Sequence, residues 1–376
     1  MRIGIEAQRI FRKKKHGMDM VALELIKALQ RLNHPHEIIV FVKPDEDQAC
    51  LQESDNVKIV KLRSAPYPIW EQVLLPKAAI REKVDLLHCT SNTAPVFLSV
   101  PLVLTLHDII YLEKLSFNQG TAYQKFGNLY RRLNVPMIVP HAKEILTVSD
   151  FENQRICDYF KLPPASVITA HNGAANHFKR VEDKMLLKAA KEKYKLPDNF
   201  IFFLGNTDPK KNVKGVLKAI SILKQHNDLP CPLVMLDINK QYLQNLATEI
   251  GDTSVLEEIQ FTGYIPNTDL PAIYSQASMF LYPSLRESFG IPLLEAMHCG
   301  VPIITSDTSS MPEIAGDAAL IVDPFDPNAL ANAINQLWKN RDLAITLAAK
   351  GIERAKQFSW EANARLTLSI YESIIH

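Results

Sequence analysis

Short apolar runs alternate with stretches of helical periodicity along the whole chain. In the first half the runs are Arg2–Ala7, Glu37–Val42, Val57–Leu62, Leu86–Cys89, Leu102–Leu106, Ile145–Val148 and Val167–Ala170. Many are continuously apolar rather than alternating, as strands of a parallel sheet covered on both faces should be. Between the first two, Met18, Val21, Leu25, Leu29 and Leu32 recur at helical spacing. The second half repeats the plan with runs at Phe200–Leu204, Leu233–Asp237, Ile259–Gly263, Met279–Tyr282, Pro302–Ser306 and Leu320–Val322. A helix is expected over Val213–Gln225, with Val213, Val216, Leu217, Ile220 and Leu223 on one face and Asn212 as its N-cap. Alternation of this kind predicts βαβ units and two doubly wound α/β sheets. The charged segment Asn176–Leu196 reads as a linker plus a surface helix, so the boundary is placed near Asn172–Phe178.

Two such domains predict a cleft, with ligands at the carboxyl ends of the strands. Composition adds little to this picture and excludes several classes. The 376 residues suit two domains, and 47% hydrophobic with 22% charged residues is ordinary for a globular protein. A net charge of +1 gives no reason to expect nucleic acid as a partner. Five scattered cysteines without a CxxC argue against a disulfide framework and fit a reducing cytoplasm. The start, Met1-Arg2-Ile3-Gly4-Ile5-Glu6, meets a glutamate too early for a signal peptide. No apolar run approaches the ~18 residues of a spanning helix. No Walker-type loop and no G-x-G-x-x-G occurs, which weakens kinase and dehydrogenase readings.

Candidate chemistry concentrates in the loops after strands. Met279–Tyr282 ends at Pro283, and a polar loop with Glu287 leads to Gly290. Pro292 then reads as the first residue of a helix, with Glu295 in its first turn near the positive end of the dipole. Free N–H groups at such a start hold anions. If the eight residues from Glu287 to Glu295 were helical they would rise ~12 Å. That exceeds the ~5 Å between the carboxylates of a retaining hydrolase. The pair therefore reads as two hydroxyl-binding carboxylates along an extended ligand, beside the plainer reading of a salt-bridged loop residue and a helix-start residue. Gly205-Asn206-Thr207-Asp208-Pro209-Lys210-Lys211-Asn212 offers two lysines beside a helix start, a diphosphate clamp or a basic surface turn. Gly263-Tyr264-Ile265 ends a strand and could offer backbone groups to a base. His107-Asp108 ends Leu102–Leu106, and Gly17 follows a basic loop holding Lys13, Lys14 and Lys15. Asp45-Glu46-Asp47 reads as solvated loop rather than a metal site, having no further ligand nearby.

Glu287-Ser288-Phe289-Gly290-Ile291-Pro292-Leu293-Leu294-Glu295, continuing to Pro302 and through Ser309-Ser310-Met311-Pro312-Glu313, resembles the E-x7-E signature of the retaining family 4 glycosyltransferases of the GT-B fold. Lys211-Asn212, His107-Asp108, Thr147-Val148-Ser149, Asn172-Gly173 and Phe358-Ser359-Trp360 extend the resemblance over essentially the whole chain. It implies two Rossmann-like domains: an acceptor-side domain of residues 1–175, joined by a C-terminal helix within 359–376 that crosses back, and a nucleotide-sugar domain of 176–358. It implies transfer of a sugar from a UDP- or GDP-linked donor to a glycan or lipid-linked acceptor, with retention, no metal and no cofactor. Carried over by position, Glu295 binds the ribose and Glu287 the sugar hydroxyls. Backbone amides of Ser288, Phe289, Gly290 and Ile291 lie near the sugar and diphosphate. Lys211, aided by Lys210, neutralises the leaving group beside Gly205 and Asn206. Ile265 meets the base, Gly17 lets the phosphates approach, and His107 bonds the sugar near the reacting carbon.

Two departures stand out. Asn206 and Lys210 occupy places where the family often has arginine, and Gly17 stands where paired glycines are usual. Ser309 to Glu313 also resembles a pattern common among mannosyltransferases. A sugar-nucleotide epimerase of the same fold and a silent sugar-binding protein are the alternatives. Lys125, Arg131 and Arg132 among Tyr123, Phe126, Leu129, Tyr130 and Leu133 suggest either a helix on the inner face of the cytoplasmic membrane or a packed surface helix.

Overall fold

The computed structural model describes residues 1–113, 122–236 and 238–375, and of residues 122–124 and 375 the backbone only. Asp237, the expected end of one strand, and the side chain of Tyr123 therefore lie outside the described residues. The chain divides into two compact units: Met1–Asn172 with Trp360–His376, and Gly173–Ser359.

In the first unit the described residues form a seven-stranded parallel sheet of order β3-β2-β1-β4-β5-β6-β7. Its strands are β1 (Arg2–Glu6), β2 (Glu37–Val42), β3 (Val57–Lys61), β4 (Leu86–Cys89), β5 (Leu102–Thr105), β6 (Glu144–Thr147) and β7 (Val167–Thr169). Every residue of β4 and β5 is buried, which explains the unbroken apolar runs. The helix Gly17–Arg31 covers one face with Val21, Leu25 and Leu29, three of the five positions at helical spacing. The last helix, Trp360–Ile375, packs beside it. Asn363 Nδ2 donates to the carbonyls of Ala170 (3.0 Å) and His171 (2.8 Å). The Tyr371 hydroxyl meets Nδ1 of the buried His88 at 2.6 Å, while Nε2 meets Thr105 Oγ1 at 2.7 Å. Both ring nitrogens are thus satisfied by hydroxyls, and burial holds the imidazole neutral, its pKa lowered to about 3.

In the second unit the described residues form a six-stranded parallel sheet of order β10-β9-β8-β11-β12-β13. The strands are β8 (Ile201–Phe203), β9 (Leu233–Met235), β10 (Ile259–Phe261), β11 (Met279–Tyr282), β12 (Ile303–Ser306) and β13 (Leu320–Val322). A chain of buried rings runs beneath β8 and β11. Phe202 lies 5.3 Å from Tyr274, Tyr274 5.1 Å from Phe280, and Phe280 5.7 Å from Tyr282. The first two pairs are edge-on and the third is stacked, and aromatic pairs of either kind add ~0.5–1.5 kcal/mol each beyond area burial. Helix Val213–Gln225 has the bounds its periodicity predicts, and Asn212 caps it by accepting from the Gly215 amide at 3.2 Å.

Each sheet reverses its strand order once. The reversal falls between β1 and β4 in the first unit and between β8 and β11 in the second. Loops leaving such neighbours diverge and open a crevice at the carboxyl edge, the favoured ligand position of open α/β sheets. In the second unit those two loops hold Gly205–Asn212 and Pro283–Gly290, the stretches the sequence singles out.

Tyr371→Phe should lower the unfolding free energy by about 1–3 kcal/mol, read as a lower urea midpoint at unchanged m-value, because it strips a partner from a buried imidazole nitrogen. An unchanged midpoint would show that His88 finds another partner.

Candidate active site

The loop after β8 is shaped by exclusion and then by capping. A Cβ on Gly205 would stand 2.5 Å from the Phe203 ring, so only glycine fits. Asn206 Oδ1 accepts from the Asp208 amide (2.8 Å), and Asp208 Oδ1 from the Lys210 amide (3.1 Å). Lys210 pairs with Asp208 at 3.7 Å, both partly exposed. Asn212, at φ 58°, adopts the left-handed conformation that asparagine tolerates. Its Nδ2 donates to the carbonyls of Pro283 (3.1 Å) and Pro324 (2.8 Å), and the Leu285 amide donates to the Lys210 carbonyl (2.7 Å). The two loops are thereby fastened to one another.

That fastening brings Lys211 to Glu287. Lys211 Nζ lies 2.6 Å from Glu287 Oε1 and 3.0 Å from the Tyr282 hydroxyl, above the Tyr282 ring. The two charged side chains keep only 15% and 11% of their exposure. A lysine ammonium has three hydrogens, so one remains for a further acceptor. Tyr282, at the end of β11, looks like an ordinary core aromatic in the sequence, and its part here is missed by sequence reasoning.

The Glu287 loop is also gripped from beyond β12. Ser306 Oγ donates to the Ser284 carbonyl (2.7 Å), and Ser309 Oγ accepts from the Glu287 amide (3.0 Å). Ser310 Oγ donates to the carbonyls of Glu287 and Phe289, both at 3.1 Å. Gly290 closes the loop at φ 99°, where a Cβ would meet Met311 Cε at 2.5 Å. The Ser309-Ser310-Met311 stretch therefore acts on the site as its scaffold.

The helix after the loop runs Ile291–His298, so Pro292 is its second residue and not its first. Glu295 accordingly lies beyond the first turn, and the dipole argument for it does not hold. Only part of the stretch from Glu287 to Glu295 is helical, so the rise of a continuous helix does not measure their separation. Glu295 points into the core, its Oε2 3.4 Å from the Tyr274 hydroxyl. Burial pushes its carboxyl up to about 8, against the weaker opposing pull of that hydroxyl. Ile265 is buried as well, leaving only its backbone to meet a ligand, while Tyr264 beside it is 80% exposed.

In the first unit, His107 stands at the carboxyl edge beyond β5 and is buried. Its Nε2 donates to the Thr90 carbonyl at 2.8 Å, and its amide donates to Asn92 Oδ1 at 2.6 Å. Burial lowers the ring's pKa, chiefly against the Thr90 bond. A neutral ring with its proton on Nε2 presents Nδ1 as an acceptor. Gly17 opens its helix with free space where a Cβ would stand and an ordinary backbone, so the fold itself does not demand glycine there. Lys15 is paired with Asp47 and Lys13 with Glu46 (3.3 Å), which accounts for two of the three carboxylates of Asp45-Glu46-Asp47. Gly17 and His107 belong to one unit; Gly205, Lys211, Ile265, Glu287 and Glu295 belong to the other.

Two family models match. Residues 16–175 match Glycosyltransferase Family 4, and residues 187–358 match Glycosyl transferases group 1. The O-antigen chain mannosyltransferase B of Escherichia coli is 29% identical over 371 residues, covering 95% of this chain and 96% of its own. Among solved structures, a glycosyltransferase from Rickettsia africae ESF-5 superposes with a TM-score of 0.75 at 19% identity, over 100% of this chain and 98% of that one. HepE of Anabaena, solved in complex with UDP, gives 0.74 at 17% identity, over 99% and 100%. These superpositions bear out the expected GT-B architecture.

The raised carboxyl of Glu295 has a consequence for stability. Its native pKa lies above the unfolded value, so its contribution is full below about pH 4.5 and is lost as pH rises toward about 8. Glu295→Gln should remove that decline and raise stability at pH 8 by on the order of a few kcal/mol relative to the parent. Parallel pH–stability curves from denaturant melts would show instead that the carboxyl ionises freely in the native state.

Proposed function

The chain is a family 4 type glycosyltransferase of the GT-B fold, and we propose that it is a retaining, metal-independent hexosyltransferase working in the assembly of a surface polysaccharide. The E. coli relative, an O-antigen chain mannosyltransferase matched over nearly its whole length, supports mannose as the sugar. HepE binds UDP, which supports a nucleoside diphosphate as the leaving group. The observation that carries the reading is the Lys211–Glu287 contact at the strand-order reversal of the second unit.

The proposed roles follow from charge and hydrogen bonding. In the transition state the sugar gains oxocarbenium character while negative charge grows on the diphosphate. Lys211, with one ammonium hydrogen left, meets that charge where it develops, and in this reading the amides of Ser288, Phe289, Gly290 and Ile291 join it. Lys210, paired with Asp208, and Asn206 and Gly205 shape the loop around it. Glu287 accepts from sugar hydroxyls with its remaining lone pairs. Glu295 takes the ribose hydroxyls, which supply the hydrogen-bond partners its carboxyl lacks in the core. The backbone at Ile265 meets the base. His107 accepts a sugar hydroxyl through Nδ1, and the open backbone at Gly17 admits a phosphate. The leaving phosphate oxygen takes the acceptor proton on the same face, so no separate base is required.

Contact with a membrane surface is part of the proposal. No helix of the described residues is long and apolar enough to cross a membrane. The helix Ala122–Ile138 exposes Phe126 (59%), Leu129 (51%), Leu133 (63%) and Met137 (52%) along one stripe, with Lys125 exposed beside them. Apolar side chains with a basic border suit an anionic bilayer.

Lys211→Ala and Glu287→Ala should each lower turnover by ~10²–10³-fold, as expected for a lost charge-stabilising contact; because each also leaves a largely buried charge unpaired, turnover is read per folded protein at a temperature well below the variant's melting point. Unchanged turnover in both would remove the proposed site. Free nucleoside diphosphate should appear only when acceptor is supplied and should persist in EDTA. Release without acceptor would favour an epimerase, and loss in EDTA would sink metal independence. Leu133→Glu should weaken sedimentation with anionic vesicles; absence of vesicle binding in the parent protein would remove the membrane role.

A further inference from the structure

The strand-order reversal of the first unit, between β1 and β4, carries a cluster that the roles above leave unused. Glu6 ends β1 and is 1% exposed. Its Oε1 accepts from the Gln8 amide at 2.9 Å, but its Oε2 is buried with no hydrogen-bond partner. Burial raises this carboxyl to about 7; the Gln8 amide opposes the shift, the charge of Glu71 reinforces it, and Arg9 and the Ser91 hydroxyl pull it back.

Glu71 reaches the cluster on a π turn, Trp70–Leu74, inserted before the helix Leu75–Arg81. Such turns interrupt regular hydrogen bonding and are frequent at functional sites. Here the carboxylate is completely engaged. Oε1 accepts from the hydroxyls of Tyr67 (2.7 Å) and Thr93 (2.5 Å), and Oε2 accepts from Gln72 Nε2 (3.1 Å) and the Tyr130 hydroxyl. Glu71 therefore fixes Tyr67, whose ring carries the Arg9 guanidinium 4.5 Å from its centroid. The result is a rigid polar frame around one open acceptor, Glu6 Oε2. A buried acceptor left unpaired costs ~1–3 kcal/mol, so a donor arriving from a ligand is favoured.

The chemistry of the frame selects that ligand. Two carboxyl groups against one guanidinium disfavour a phosphate or a nucleotide. A neutral molecule with adjacent hydroxyls fits, donating to Glu6 and accepting from Arg9 and Ser91. We propose that Glu6, with Arg9 and Ser91 beside it and Tyr67 and Glu71 as its frame, is a hydroxyl-binding site for the terminal sugar of the acceptor glycan. This rests on the transferase reading.

The test uses the full chain and methyl α-D-mannopyranoside as probe, followed by saturation-transfer NMR. The parent protein should bind the hexoside. Glu6→Gln and Ser91→Ala should weaken it by about tenfold or more, whereas substitution of the exposed surface lysine, Lys339→Ala, should not. In turnover assays the acceptor KM should rise in Glu6→Gln while the donor KM stays within about twofold. Should Glu6→Gln fail to fold, Ser91→Ala with Arg9→Lys carries the comparison. No hexoside binding by the parent, or binding lost in Glu287→Ala and kept in Glu6→Gln, overturns the assignment. Melting shifts with UDP- and GDP-sugars are read separately: if none appears the transferase reading fails, whatever the hexoside does.

Discussion

The Lys211 ammonium, held between the Glu287 carboxylate and the Tyr282 hydroxyl, is the contact around which the second unit is arranged. It joins a loop after β8 to the end of β11 and the loop that follows. Removing so much water from two charges costs several kcal/mol per ion, and attraction at 2.6 Å repays it only if the geometry is firm. The firmness is visible in the neighbours. Asn212 ties the lysine loop to Pro283, the Leu285 amide ties back to Lys210, and Ser309 and Ser310 hold the backbone of Glu287 from the far side. Gly205 and Gly290 allow this close packing, since a Cβ would strike the Phe203 ring at the first and the Met311 side chain at the second.

The parallel strands are legible in the sequence because burial on both faces leaves unbroken apolar runs, and the Val213–Gln225 helix because its stripe and its asparagine cap agree. The start of the Ile291–His298 helix is not legible to the residue. Its sequence is almost wholly apolar, and its cap position is taken by Gly290, whose φ of 99° leaves no side-chain signature. That single-residue displacement puts Glu295 beyond the first turn, and its side chain falls on the buried part of the helix. The grip of Ser306, Ser309 and Ser310 is hidden for another reason: its partners are main-chain carbonyls and an amide, which sequence does not distinguish. Glu6 and Glu71 are isolated carboxylates in apolar surroundings, meaningful only once the fold brings the end of β1 and the π turn Trp70–Leu74 together.

The buried acids differ in kind, and their partners explain the difference. Glu287 has a lysine as partner. Glu295 and Glu6 have no adjoining cation of that closeness, and burial drives both toward the protonated form. Glu71 reaches the same depth by another route, surrounded by donors that fill its lone pairs. A carboxyl group without a full set of donors, in a crevice that topology opens at the strand ends, is matched to hydroxyls rather than to charge.

This matching explains why a fold can place an acid where it weakens the ligand-free protein. The Tyr274 bond to Glu295, at 3.4 Å, is long for a hydroxyl donor and leaves the carboxyl poorly served. Improving it by burying a second donor would stabilise the fold and close the site to vicinal hydroxyls. Under the proposed role the ligand supplies what the core withholds, so binding and ionisation of Glu295 become linked: hydroxyl donors favour the carboxylate, which the empty site disfavours. The energetic deficit at this residue is then the source of its affinity, and the firm Lys211–Glu287–Tyr282 arrangement beside it keeps the loop in place while that deficit is relieved.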